Sequence, residues 1–240
     1  MRRFGVSTSC LLEEPLSDAL MLLSDICDLV EIQCDARHSL FLYENVCKEF
    51  DLRYTLHAPS GDGNIASVFE PIRQASLEVI RETAEIGTRI DAEMLVIHPG
   101  FCLFPDDRDA STAALLLSFD ELGEMQRENS IRFSVENLGF WESCMFQKPD
   151  LLVYIRECGL SFVLDVDHVN LTQTLVPCLL AKPDHLHLHD NRGTLDEHTA
   201  CGSGTIDFSQ VIAAAGSATM IVEVMHFGDV ERSLSFLNGL

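Results

Sequence analysis

The sequence predicts an α/β fold, a single-domain (β/α)8 barrel over residues 1–240, on three observations. Short β-like runs alternate with longer helical patterns along the chain, the arrangement of βα units around a parallel sheet. Eight such runs occur, the number that closes this type of barrel. Nearly every run ends in a histidine, aspartate or glutamate, at the end of the strand where such barrels build their sites. With 240 residues, 47% of them hydrophobic, the chain has material for one large core.

The strands are expected at Phe4–Ser7, Leu29–Gln33, Arg53–His57, Glu93–His98, Ile131–Glu136, Leu160–Asp165, Asp184–His189 and Thr219–Val224. Leu16, Ala19, Leu20, Leu23 and Ile26 form the apolar stripe of a first helix, with Pro15 near its start. A second helix, around Tyr43–Phe50, is short and weakly patterned. The third carries the stripe Ile72, Ser76, Val79, Thr83 and Ile86. Asp207 and Gln210 approximate a capping box before Phe208, Val211, Ile212 and Ala215, and Val230, Leu234 and Leu237 pack the last helix. No linker, low-complexity stretch or second domain interrupts the pattern.

Composition narrows the partners. The formal net charge is −22, with 16 Lys and Arg against 38 Asp and Glu, and nucleic-acid binding draws its affinity from cations that neutralise phosphates. Duplex DNA is therefore not expected as a partner. No apolar run reaches the length of a membrane span, and the opening MRRFGVSTS enters a strand without the apolar region of a signal peptide. Nine cysteines with irregular spacing and no C-x-x-C pair read as reduced, buried thiols of a cytoplasmic protein. Cys10, Cys34, Cys102 and Cys201 fall near strand ends, where a metal contact is the alternative to simple burial.

The strand ends carry the chemistry. His57 ends the third strand, His98 the fourth, Glu136 the fifth and Asp165 the sixth, and Glu223 lies near the end of the eighth. His185, His187 and His189 alternate with leucines in the seventh and so project to one side of the sheet. Two residues before each ligand stand Thr55, Val96, Ser134, Val163, His185 and Ile221, which suit the barrel interior, so the ligands point into its mouth. A lone histidine or glutamate there is usually structural, but several carboxylates converging without cations would repel prohibitively. The mixture of imidazole and carboxylate suits a divalent Zn, Mn, Co or Fe ion better than Ca. Asp165 and His168 form a D-x-x-H pair after the sixth strand, and Asp196 and His198 a D-x-H pair after the seventh, as further ligands. Asp167 and Glu197 read as supporting or solvated groups. The lysines, Lys48, Lys148 and Lys182, lie away from the expected mouth, which argues against Schiff-base chemistry. Gly202-Ser203-Gly204 lacks a following lysine and reads as a tight turn, not a phosphate loop.

The segments LHAP at His57, IHPG at His98, VENLG at Glu136, LDVDH across Asp165 and His168, HLHLHDN at His187, DEH at Asp196 and His198, GSGTIDF, and IVEV at Glu223 run in order through most of the chain. The chain thereby resembles the xylose isomerase-like TIM barrel superfamily, which includes sugar isomerases and epimerases and endonuclease IV. The epimerase branch implies one ion, zinc or manganese, on Glu136, Asp165, His187 and Glu223. Glu136 and Glu223 would then exchange protons with a small sugar or sugar phosphate through an enediolate. It also implies Glu142 as an acid orienting His168, and Arg192 as a hold on a substrate oxygen. The endonuclease branch implies three zinc ions on nine side chains, matched by His57, His98, Glu136, Asp165, His168, His187, Asp196, His198 and Glu223. Against it, the segment after His57 is Ala-Pro-Ser-Gly-Asp-Gly, without that branch's inserted aromatic residue, and Arg37 is the one cation near a phosphate position. Asn137 and Leu138 follow Glu136 where xylose isomerases proper use a lysine, which counts against a hydride shift. A non-catalytic metal- or sugar-binding barrel is the third reading.

Overall fold

A computed structural model describes residues 4–139 and 141–240. Eight parallel strands close into a barrel in chain order: β1 (Gly5–Ser7), β2 (Leu29–Gln33), β3 (Arg53–His57), β4 (Met94–Ile97), β5 (Arg132–Glu136), β6 (Ser161–Asp165), β7 (His185–Leu188) and β8 (Thr219–Val222). The β1–β8 pairing, Gly5 beside Ile221 and Val6 beside Val222, completes the ring. Each strand falls inside its expected run, because burial on both faces makes the segments near-continuous apolar stretches. Thr55, Val96, Ser134, Val163, His185 and Ile221 are all buried, as the parity of the strand ends requires. Among the described residues no helix is long and apolar enough to cross a membrane.

The helices surround this sheet: α1 (Leu16–Ser24), α2 (Leu40–Tyr43), α3 (Glu70–Arg89), α4 (Arg108–Glu128), α5 (Leu152–Glu157), α6 (Val166–Thr172), α7 (Leu175–Leu180), α8 (Phe208–Ala214) and α9 (Gly228–Asn238). Helix α1 buries Leu16, Ala19, Leu20 and Leu23 as its stripe predicts. The weak second pattern resolves into the single turn of α2 followed by a 3₁₀ segment, Glu44–Glu49, rather than a helix over 43–50. Asp207 caps α8 by accepting from the Gln210 amide at 3.1 Å.

Helix α3 corrects its predicted stripe. Ser76, Thr83 and Ile86 are buried, but Ile72 and Val79 are 48% and 38% exposed. The buried face runs instead through Leu77, Ile80 and Ala84, about one residue around the helix. Arg73 completes this face. Its guanidinium is held by Glu70 (2.6 and 2.8 Å) and the Ser118 hydroxyl (3.0 Å), with Glu121 at 2.7 Å. Ile72 and Val79 line a cavity of about 560 Å³ with Phe41, Ile65 and Pro71 that reaches His98. Apolar residues on two faces of one helix hid this choice from the periodicity.

Between sheet and helices, Phe133, Phe162 and Phe119 are fully buried, and the Phe162 ring meets Phe146 edge-on at 5.6 Å. Phe162→Ala is expected to cost about 3–5 kcal/mol, read as a lower midpoint in urea unfolding.

Candidate metal centre

The strand ends bring the predicted ligands together in three linked groups at the barrel mouth. In the first, Glu136 Oε2 lies 3.2 Å from His57 Nε2 and 3.1 Å from His98 Nε2. In the second, His187 Nδ1 lies 3.2 Å from Glu136 Oε1, 3.2 Å from Glu223 Oε2 and 3.9 Å from Asp165 Oδ2. Glu136 thus gives one oxygen to each group. The third joins His168 and His198 through Asp196, with Nε2 atoms 3.6 and 3.1 Å from its two oxygens. Within each group the donor atoms lie within 4.8 Å of one another. Two ligands bonded at 2.0–2.1 Å to one tetrahedral ion sit roughly 3.3 Å apart, close to the spacings of the first two groups.

Local structure fixes how each ring is turned. His57 donates Nδ1–H to the Ala58 carbonyl (2.9 Å), His168 to the Asn137 carbonyl (2.9 Å) and His198 to the Glu223 carbonyl (3.1 Å). A carbonyl only accepts, so each neutral ring presents an Nε2 lone pair to the carboxylates. Lone pairs facing carboxylates are stable only with a cation between them, either a proton or a metal. The donor set therefore fits a divalent ion. Asp165 also caps α6, accepting from the His168 amide at 2.9 Å, so one carboxylate holds both the helix and the centre.

Asp196 and His198 depend on the loop between β7 and α8. Asp190, fully buried, accepts from the amides of Gly202 (3.0 Å), Gly204 (2.8 Å) and Ile206 (3.2 Å). Gly202 has φ +84°, and a Cβ at Gly204 would stand 2.1 Å from the Asn191 carbonyl oxygen, so both glycines are required by the turn. Asp190→Ala strands three amides and is expected to loosen the loop. Faster amide hydrogen exchange across residues 196–206, with β5 and β6 unchanged, checks this.

The remaining predicted residues lie further out. Glu142 is exposed on the loop after β5, and the ring of His168 is anchored by the Asn137 carbonyl. Arg192 is exposed, its amide donating to Glu197 at 2.9 Å and its guanidinium 3.4 Å from the same carboxylate. Arg37 donates to the Glu13 carbonyl at 2.7 Å. Cys34 and Cys201 are buried free thiols whose pKa burial pushes up, which keeps them protonated.

The sequence places His189 on the inward side without giving it a ligand role, and it does not single out Glu31. His189 Nε2 hydrogen-bonds Asp165 at 2.8 Å, its Nδ1 lies 3.4 Å from Asp167, and its ring stacks on His198 at 3.9 Å. Glu31 on β2 lies deeper, beside His185 and His187. A glutamate of inward parity within Leu-Val-Glu-Ile-Gln was the signal that could have found it.

Without a metal the histidines carry the compensating charge. Burial opposes protonation of His57, but the hydrogen bond and charge of Glu136 outweigh it and raise the pKa to about 9. Burial is likewise outweighed at His168, where Asp165 and Asp196 raise the pKa to about 9. His187 is pushed well up by Glu223, Glu31 and Glu136 against its burial. Glu136 is held low by His187 and His98 despite burial, whereas burial itself raises Asp167.

An eight-stranded parallel barrel with a histidine–carboxylate centre at its C-terminal mouth defines the class. The chain belongs to the xylose isomerase-like TIM barrel family, whose profile matches residues 36–238. It is 35% identical over 213 residues to an uncharacterized protein of Methanocaldococcus jannaschii, covering 86% of this chain and 85% of the relative. It is 24% identical over 201 residues to the Mycobacterium leprae protein named "Probable endonuclease 4", covering 77% of each. Among solved structures it is similar in fold to a D-tagatose 3-epimerase-like protein, at TM-score 0.89 and 24% identity over 99% of this chain and 96% of that one.

Proposed function

We propose that the chain is a divalent-metal-dependent enzyme that isomerises or epimerises a small sugar or sugar phosphate in the cytoplasm, with Glu136 and Glu223 as the acid and base. The observation that carries this reading is the buried group Glu136, Asp165, His187 and Glu223, with Glu136 ending β5 and Glu223 directly following β8, strands separated by β6 and β7. A zinc or manganese ion there would polarise a substrate carbonyl and acidify the adjacent C–H. One glutamate takes that proton and leaves an enediolate, and the other delivers a proton from its own side of the site. Return to the same carbon inverts it, whereas return to the neighbouring carbon isomerises the sugar. The similarity of fold to an epimerase-like protein and the nine free thiols support the activity and the compartment respectively. Arg192 and Glu142, both at the open edge, are proposed to meet the distal end of the substrate, and His168 its near end.

A second reading, a multinuclear zinc phosphoesterase, is favoured by the other two ligand groups and by the endonuclease-named relative. Elemental analysis of the loaded protein separates the two. The isomerase reading expects one tightly bound ion to suffice for full turnover of a ketose panel. A requirement for two or three ions, with cleavage of a phosphodiester and no sugar turnover, overturns it.

A further inference from the structure

Deeper in the barrel, two histidines and one glutamate face one another with no hydrogen bond to join them. Glu31 on β2 and His185 and His187 on β7 are all fully buried. His187 Nε2 lies 2.8 Å from Glu31 Oε1, and His185 Nε2 lies 3.0 Å from Glu31 Oε2. Neither contact is aligned as a hydrogen bond. Both Nε2 atoms and Glu31 Oε1 have no hydrogen-bond partner among the described residues. Glu31 Oε2 is satisfied instead by the Thr55 hydroxyl at 2.8 Å. His187 Nδ1 does have a partner, Glu136 Oε1 at 3.2 Å. A carboxylate only accepts, so a neutral His187 donates from Nδ1 and leaves a bare Nε2 lone pair beside Glu31.

We propose that Glu31, His185 and His187 form a further cation site inside the barrel, for a divalent transition-metal ion held by both Nε2 atoms and the Glu31 carboxylate. This site stands on its own ligands and not on the reaction proposed above. Its donor atoms lie within 4.8 Å of one another. A proton would lie along the N–H direction of its ring, and that direction misses the Glu31 oxygens. A metal ion stands off the N···O line, about 2.0–2.1 Å from each donor, where both lone pairs reach it. Donors at right angles on an octahedral ion with bonds of about 2.1 Å lie about 3.0 Å apart, close to the two contacts. Burying these polar atoms unpaired is costly, and one ion bonded to all of them removes that cost. Two imidazoles to one carboxylate favour a transition-metal ion over Mg²⁺ or Ca²⁺. Full burial denies the ion contact with substrate, so it ties β2 to β7 across the barrel instead of entering the reaction. His187 serves this site and the group of Glu136, Asp165 and Glu223 through opposite nitrogens. Filling both displaces the Nδ1 proton to solvent, and the ring then bridges the two ions as an imidazolate.

The test is an anomalous-scattering map of the protein produced with Co²⁺ in the growth medium, so that the ion is present while the buried site forms. A peak is expected among the Glu31 carboxylate, His185 Nε2 and His187 Nε2. Metal analysis of Glu31→Gln and of His185→Gln is expected to find one Co²⁺ fewer per chain than in the wild type. Thermal melts check that the variants fold; where they do not, the wild-type map decides alone. Co²⁺ at Glu136, Asp165, His187 and Glu223 with none at Glu31 overturns the inference and leaves the proposed function standing. Folded variants with the wild-type Co²⁺ content do the same. Co²⁺ at Glu31 with none in the upper group upholds the inference and overturns the metal dependence of the proposed function. A wild-type chain that takes up no Co²⁺ overturns both.

Discussion

Replacing Glu136 with glutamine is expected to reduce solvent-hydrogen exchange into a ketose substrate by about 10²–10⁴-fold, the usual contribution of a positioned acid or base. The size of the effect follows from geometry. Glu136 faces His57 and His98 with one oxygen and His187 with the other. An amide there removes the negative charge that all three rings compensate, and it turns an N–H donor toward one of the two groups. Zinc content should fall with the exchange rate. Glu223→Gln is expected to lose exchange to a similar extent, since it removes the proposed second proton carrier. Its effect on the His57–His98 group should be smaller, because Glu223 contacts His187 and not that pair. Exchange retained by both variants would contradict their assignment as acid and base.

Metal removal is the second large effect, and its dependence on pH has a defined sign. Zinc at a thousand times its Kd is expected to stabilise the fold by about 4 kcal/mol, which in a chain of this size raises the Tm by about 8–16 °C. In the metal-free protein His57 and His168 titrate at about 9 instead of 6.5. A raised pKa contributes stability that is complete below 6.5 and is lost as pH rises through about 9. Zinc needs the same lone pairs deprotonated, so its affinity rises over that interval. The Tm of the metal-free protein is therefore expected to fall between pH 6.5 and 9, while the gain on adding zinc grows. Melts with and without zinc across this range check both slopes. A zinc-induced gain that shrinks with rising pH would place the metal away from these histidines.

Much of this was legible in the sequence because barrel strands impose a strict parity. The alternation in His185-Leu186-His187-Leu188-His189 and the ligands ending β3, β5 and β6 fix which side chains face inward, and closure brings them together. Four features were not legible. The carbonyls of Ala58, Asn137 and Glu223 that turn the histidine rings belong to the backbone and leave no residue-type signal. Glu31 meets His187 only across the barrel, a contact that depends on register and closure rather than on local pattern. On α3, Ile72 and Val79 are as apolar as the buried face, so periodicity alone could not tell the barrel side from the side that lines the cavity near His98. Asp190 is a fourth case of the same kind, since its role exists only once the loop has folded back over it.

Two glutamates of a single buried metal group are proposed to move protons on a sugar carbon. The most direct measurement is mass and NMR analysis of ketoses incubated in D₂O with the zinc- or manganese-loaded protein. Deuterium is expected at the carbon beside the carbonyl, appearing with the epimer or isomer and absent when Glu136 or Glu223 is glutamine. Cleavage of a phosphodiester by the same preparation, with no deuterium entering any sugar of the panel, would contradict it.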